Sequence, residues 1–236
     1  MIQWNRQSLQ WFADASEYTG YNKKLAEILL RQIPCRGTLC DLGCGAGLID
    51  FELAPHIGQI TCVDISPEAV NAVAEGARQR GISNISARCM DAEKLAGQWD
   101  TVLALFHGGA DFYTRYRHLA KDRLILAAPE ERKGGFGPEG KKADKHFDVA
   151  GVKNYLNALG ASYELLELAL EYGQPFPDLK DAERFVRTYS MPLDDRELRA
   201  YLNEKIETTG DRRFPYYLPN LKKIGLFIIT VEGERK

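Results

Sequence analysis

The sequence has little of what would place a protein in a membrane, outside the cell or on nucleic acid. Of its 236 residues five are cysteine and four are histidine. The cysteines, Cys35, Cys40, Cys44, Cys62 and Cys89, are odd in number and irregularly spaced, which speaks against a disulfide framework. Cys40 and Cys44 do not make a CxxC pair and no histidine spacing completes a zinc site, so no metal is expected. Three of these thiols fall in or beside apolar runs, where cysteine behaves as a small hydrophobe. Together they suit a reducing, cytoplasmic setting. No stretch of about 18 apolar residues is present to span a bilayer. The start, MIQWNRQSLQWF, lacks the basic and apolar regions of a signal peptide. The net charge of −2 is not that of a general polyanion binder. No repeat or low-complexity tract interrupts the chain.

What is there is an alternation of short apolar runs with helical stretches. GTLCD, QITCVD, NISARCM, WDTVLAL and RLILAA read as buried strands of a parallel sheet. A helix from about Ala46 to His56 separates the first two. SPEAVNAVAEGARQRG separates the next, with Ser66 as N-cap, Pro67 at the first helical position and Gly81 as the stop. Such alternation predicts an α/β doubly wound fold. The segment up to about Ile33 is helical and aromatic. A charged, glycine-containing loop, Arg132 to His146, follows the fifth strand. A helix over 149–159, a strand in SYELLELALEYG, two helical patterns between 178 and 208, and a last apolar strand, KKIGLFIITVEG, complete the chain.

The most specific feature is LCDLGCGAG, Leu39 to Gly47. An apolar strand ends in Asp41 and three glycines follow, Gly43, Gly45 and Gly47, as in a tight turn that lets a ligand approach the main chain. Asp64 stands nineteen residues beyond Gly45 at the end of the second strand, a placement that suits the two hydroxyls of a ribose. That acid alone fits a nicotinamide dinucleotide as well. Two details point elsewhere. The third glycine of GxGxxG is replaced by Leu48, and an acid before the glycines would repel a pyrophosphate at a helix end.

On these residues the chain resembles the class I S-adenosylmethionine-dependent methyltransferases, with their acidic-x-Gly-x-Gly-x-Gly motif. The resemblance runs from about Tyr18 to Pro129. It implies a seven-stranded Rossmann-like sheet whose last strand is antiparallel, with S-adenosyl-L-methionine as cofactor and S-adenosyl-L-homocysteine as product. It also places Asp41 near the methionine portion and Asp64 at the ribose. Ile65 falls on the adenine face, Asp91 at the adenine amine with Met90 and Ala92 beside the ring, and the Leu105–Phe106 backbone at the donor's amino group. Tyr18 and Tyr21 fall at the carboxylate end. The chain then divides into a lid segment (1–33), a cofactor-binding half (34–130) and a helical cap insertion (175–215) within one methyltransferase domain (1–236).

The acceptor is less legible. After the fourth strand stands LFHGG, without the Asn/Asp-Pro-Pro-aromatic signature of amino-directed nucleic-acid enzymes and without a Pro-Cys nucleophile. A nucleic-acid acceptor is thereby disfavoured and a small molecule with an oxygen or nitrogen nucleophile is expected. RNA, a protein side chain, or donor binding without transfer are the alternatives. His107, just past that strand, is the candidate general base, since imidazole titrates near neutrality; its other reading is to shape the GG turn. His146 is a second candidate, while His56 and His118 read as structural or exposed. Arg132, Lys133, Lys141, Lys142 and Lys145 in the loop would meet an anionic acceptor, diluted by Glu131, Glu139 and Asp144. The aromatic set Phe176, Phe185, Tyr189, Phe214, Tyr216 and Tyr217 either lines an acceptor pocket or packs the cap on the sheet. Oligomeric state is not legible.

Overall fold

Five apolar runs form five parallel strands: β1 (Thr38–Leu42), β2 (Gln59–Asp64), β3 (Ile85–Cys89), β4 (Trp99–Leu105) and β5 (Ala120–Pro129). The structure is a computed structural model and describes residues 4–131, 135–138 and 147–231. Two further strands, β6 (Tyr163–Glu171) and β10 (Leu221–Thr230), complete a seven-stranded sheet in the order β3-β2-β1-β4-β5-β10-β6. Only β10 runs antiparallel to its neighbours. The central strands are largely apolar because side chains alternate between two covered faces, whereas β3 and β6, at the two margins of the sheet, carry polar residues. Leu39, Leu103, Ile125 and Leu226 meet α2 (Tyr21–Leu29), α3 (Leu48–Leu53) and α4 (Pro67–Gln79) on one side. Cys40, Ala104, Leu126 and Phe227 meet α5 (Phe112–Tyr116) and α6 (Val149–Ala158) on the other. Each fully buried Leu or Ile of this kind contributes about 1.5–3 kcal/mol.

The punctuation follows the sequence closely at α4. Ser66 Oγ accepts from Ala69 N–H at 3.3 Å, Pro67 opens the helix, and Gly81 ends it at φ +67°. α3 is shorter than the predicted 46–56 helix, because Gly47 at φ +67° delays its start and Pro55 follows its end. His118, read as part of a charged helix, sits in a short 3-10 turn, Arg117–Leu119.

Because β10 runs backwards, its first residues lie at the edge where the parallel strands end. That edge therefore collects the glycine turn after β1, Asp64, Met90–Asp91, Phe106–His107, Tyr172 just past β6, and Lys222.

Above it stand α1 (Arg6–Thr19), α7 (Leu179–Tyr189), α8 (Asp195–Lys205) and a three-stranded sheet in the order β7-β9-β8, formed by β7 (Gln174–Phe176), β8 (Glu207–Thr208) and β9 (Tyr216–Leu218). The sequence shows the two helices but not this sheet, whose strands of two or three residues carry no readable period. Trp11, Phe136, Phe176, Phe185 and Leu218 fill its core, and Trp11 Nε1–H donates to Asp181 Oδ2 at 3.0 Å, which ties α1 to α7. Of the predicted loop, Arg132, Lys133, Glu139, Lys141, Lys142, Asp144, Lys145 and His146 lie outside the described residues. Phe136 lies within them, edge-on to Phe185 at 4.7 Å. No helix among the described residues is long and apolar enough to cross a membrane.

Candidate active site

Past Leu42 the chain turns three times through left-handed backbone, at Gly43 (φ 72°), Gly45 (φ 54°) and Gly47 (φ 67°). The N–H groups of Gly43 and Cys44 donate to Val63 O at 2.8 and 3.1 Å, which fastens the turn to β2. Two of the glycines are demanded by space as well as by φ. A Cβ on Gly43 would stand 2.4 Å from His107 Cγ, and one on Gly45 2.5 Å from Trp4 Cζ2. The third lets α3 approach Val73 of α4. The turn thus offers its bare main chain to the edge, where His107 and Trp4 lie against it.

Asp64 bridges the turn to β2. Its Oδ2 accepts from Gly45 N–H at 3.0 Å and its Oδ1 from Ser66 N–H at 2.9 Å. Each oxygen retains capacity for a further donor, so the carboxylate is held in place and is still able to accept. Beside it Ile65 is 60% exposed, an apolar side chain with an open face. Met90 N–H donates to Asp64 O at 2.9 Å and brings β3's end alongside. Asp91 is half-buried, its Oδ1 taken by Glu93 N–H at 3.0 Å, while Ala92 is buried beneath. Two carboxylates, Asp64 and Asp91, and the exposed side chain of Ile65 thus stand at the adjacent ends of β2 and β3.

Below the turn lies a feature that the sequence reading missed. Asp41 is 2% exposed and Asp50, on α3, is wholly buried. As ionised carboxylates, Asp41 Oδ1 and both oxygens of Asp50 find no nitrogen or oxygen donor among the described residues. Desolvation raises both carboxyls, and the charge of Asp50 raises Asp41 further. Asp41 is held well above the usual carboxylate range and keeps a proton with which it bonds Asp50; Asp50 is pushed up to about 6, moderated by hydrogen bonds from Cys62 and Asp41. The pair lies directly under the glycine turn, and Asp50 is the member that ionises, above about pH 6. Its sequence signal is faint: an acid inside the apolar run LIDFEL.

Farther along the edge, aromatic rings converge. Phe106, at the left-handed φ of 63°, is held by its N–H to Ala127 O at 3.0 Å. Its ring centroid lies 3.6 Å from Lys222 Nζ, with Tyr172 at 4.8 Å and Tyr21 at 5.2 Å from the same ammonium. Tyr21 is buried and its hydroxyl has no partner among the described residues, as is also true of Tyr189. Trp4 packs on Phe12 at 4.9 Å, and Phe12 reaches Tyr172 at 6.2 Å, so one run of rings links Gly45 to Lys222. Tyr18, expected at the donor, makes its ring contacts with Tyr217 (4.9 Å) and Phe214 (6.1 Å) of the cap. The His107 imidazole is half-buried against Gly43. Desolvation lowers its pKa and Asp64 pulls it up, with lowering the net effect, so it is neutral at pH 7.

Residues 39–121, from β1 into β5, match the model of the family described as methyltransferase domain. Over this segment the chain is similar to methyltransferase domains. An aklanonic acid methyltransferase of Streptomyces sp. (strain C5) is 41% identical over 56 residues, which are 22% of this chain and 26% of that protein. A ribosomal protein L11 methyltransferase of Dechloromonas aromatica (strain RCB) is 34% identical over 79 residues, 33% of this chain and 26% of that one. The matched stretches span about a quarter of the length of these curated relatives. A SAM-dependent methyltransferase from Aquifex aeolicus shares the fold, with a TM-score of 0.58 at 13% identity over 97% of this chain and 100% of that one. The sheet edge fits S-adenosyl-L-methionine, the cofactor that the resemblance implies, on chemical grounds. A ligand with two cationic groups and no phosphate suits a turn with one buried negative charge beneath it and Asp64 across it, where a pyrophosphate would be repelled.

Proposed function

We propose that the protein transfers a methyl group from S-adenosyl-L-methionine to an oxygen or nitrogen of a small molecule. The observation that carries this reading is the enclosure of the edge: Tyr21, Phe106 and Tyr172 converge beside the glycine turn, under α1 and the cap helices. Enclosure by rings suits a small apolar body better than an extended polymer. In this reading the whole chain works as one methyltransferase domain, with residues 1–33 as lid, 34–130 as the cofactor-binding half and 175–215 as cap.

The bound donor supplies a methyl carbon on a sulfonium, so the chain's task is positioning, exclusion of water and, for a hydroxyl or amine acceptor, handling of one proton. Asp64 accepts from the ribose hydroxyls, each such bond to a charged group being worth about 1.5–3 kcal/mol. Ile65 covers one face of the adenine. Met90 and Ala92 flank it, and the free oxygen of Asp91 accepts from its amine. The Leu105 and Phe106 backbone meets the donor's ammonium. The left-handed Phe106 costs about 1–3 kcal/mol of strain, the kind of strain found where a backbone group is aimed at a ligand. Tyr21, and Tyr18 if the lid closes further, serve the carboxylate end. His107, neutral at pH 7 and just past β4, takes the acceptor's proton.

Calorimetric titration with S-adenosyl-L-methionine, S-adenosyl-L-homocysteine and NAD, followed by S-adenosyl-L-homocysteine formation on small-molecule, RNA and protein extracts, tests the proposal. Micromolar binding of the first two, none of NAD, and turnover with the small-molecule extract are expected. Turnover that requires RNA or protein would move the acceptor to a macromolecule. Binding with no turnover on any extract would leave a donor-binding domain without transfer.

A further inference from the structure

Two rings stand on the glycine turn. A Cβ on Gly43 would lie 2.4 Å from His107 Cγ, and one on Gly45 would lie 2.5, 3.2 and 3.4 Å from Trp4 Cζ2, Cη2 and Cε2. The nearest indole atom is flanked by its two bonded neighbours, so the six-membered ring meets Gly45 by an edge and its faces look sideways along the turn. Trp4 is half-buried, and Phe12 of α1 packs against it with centroids 4.9 Å apart and planes at 67°. The indole thus has a fixed neighbour on the helix side and bare main chain beneath it. The donor's own chemistry says which of its atoms reaches this place. Its sulfur is bonded to the 5′ carbon of the ribose. Asp64, which takes the ribose hydroxyls, also accepts from Gly45 N–H at 3.0 Å. A ribose held there sets the sulfur over the same turn, one carbon beyond the sugar ring, between Trp4 and His107. A sulfonium is a cation with an apolar skin. Ring faces attract cations through their quadrupoles, and of the aromatic side chains indole does so best. A leucine would cover Gly45 as well, but would not distinguish a sulfonium from a thioether.

We infer that Trp4 reads the donor's positive charge: the indole yields the main chain of Gly45 to the donor and lies with a face on the sulfonium, so that S-adenosyl-L-methionine is held in preference to S-adenosyl-L-homocysteine. The inference rests on the methyl-transfer reading above. Transfer itself removes the attraction. The methyl carbon bonds to the acceptor atom, the carbon–sulfur bond breaks, and the sulfur keeps the electron pair and becomes a neutral thioether. Donor and product differ only in the methyl and in the charge at sulfur, and a leucine would meet the methyl as well as an indole does. Asp50, ionised above about pH 6, attracts the same charge from beneath the turn. Trp4 acts from the other side, and its indole does not titrate. Trp4 is thus a specificity residue for donor against product, and its hold weakens once the methyl has gone.

Calorimetric titration of the full chain with S-adenosyl-L-methionine and with S-adenosyl-L-homocysteine tests this. If the wild type binds neither, the donor reading is refuted and this inference with it. With wild-type binding established, the ratio of the two affinities in Trp4 variants decides. Trp4→Leu should weaken S-adenosyl-L-methionine about fivefold or more, while S-adenosyl-L-homocysteine affinity stays within twofold, which also reports that the variant folds. Trp4→Phe, whose ring has the weaker quadrupole, should fall between. Equal losses for both ligands in Trp4→Leu would make Trp4 a cover without discrimination, and unchanged affinities would place it off the donor. Either result overturns the inference while the donor reading stands. Fluorotryptophan keeps the shape of the indole and weakens its quadrupole. The chain labelled throughout should lose affinity for S-adenosyl-L-methionine relative to S-adenosyl-L-homocysteine. Labelling the Trp4→Phe variant, which retains Trp11 and Trp99, should cause no such loss. A loss of the same size in both would assign the effect to the other tryptophans and overturn the inference.

Discussion

Replacing Asp50 with Asn removes the one charge of the buried pair, and its effect on stability has a pH signature. Burial pushes Asp50 from 3.8 up to about 6. The unfolded chain ionises this group first, so its contribution to stability is fully present below the unfolded value and is lost as pH rises to about 6. About two units at ~1.4 kcal/mol each amount to about 3 kcal/mol lost by neutral pH. Asp41, also raised, adds in the same direction over a window reaching higher. Asn keeps the shape and the acceptor oxygen that Asp41 and Cys62 use, at a cost of about 1 kcal/mol for its buried N–H groups. Asp50→Asn should therefore be more stable than the wild type by about 2 kcal/mol at alkaline pH, and this advantage should shrink by about 1.4 kcal/mol on going from about pH 8 to about pH 5. Urea unfolding of both proteins at the two pH values measures this. A difference independent of pH, or a loss at about pH 8, would refute the account of a buried ionised carboxylate. The same variant should weaken S-adenosyl-L-methionine more than S-adenosyl-L-homocysteine, because only the former carries the sulfonium that the buried charge attracts.

Asp64→Ala should weaken donor binding at least tenfold by calorimetry; unchanged affinity would remove Asp64 from the ribose. His107→Ala should lower kcat by about 100-fold or more while donor affinity stays within threefold. The wild-type kcat should hold from neutral pH down past the ordinary imidazole range before it falls, since burial lowers the pKa of the base; an unchanged rate in the variant would dismiss the base role. S-Adenosyl-L-homocysteine should change the intrinsic fluorescence by moving Trp4 off Gly45, and Trp4→Phe should abolish that change; persistence of the full signal in the variant would show that Trp4 stays put. Gly43→Ala forces a Cβ to 2.4 Å from His107 Cγ and should destabilise by more than 2 kcal/mol, whereas Gly81→Ala, with nothing within 4 Å, should cost only the left-handed penalty of about 1–2 kcal/mol; equal costs would mean that His107 yields freely.

The sheet was legible because its signals are local. A buried parallel strand is a short apolar run wherever it occurs, and Ser66, Pro67 and Gly81 announce the ends of α4 within a single turn each. The glycine turn and Asp64 were legible for the same reason, since a turn and the acid of the next strand keep a fixed separation along a βαβ unit. The sheet β7-β9-β8 was not, because strands of two or three residues owe their existence to partners and not to pattern. α5, five residues long, has too few positions to show a period.

The grouping at the edge was hidden for a further reason. Asp50 reads as an exposed helix acid until the packing of α3 on the sheet sets it against Asp41. Lys222 reads as a solvated lysine at the start of a strand until the reversal of β10 carries it to the end where the other strands finish. Tyr172 and Phe106, which face it, come from the ends of two other strands, and Tyr21 from the start of α2. None of these relations has a spacing in sequence, since each depends on strand order and direction. Residues as far apart in the chain as Tyr21, Phe106, Tyr172 and Lys222 share one edge only because the sheet order places β4, β5, β10 and β6 side by side and reverses β10.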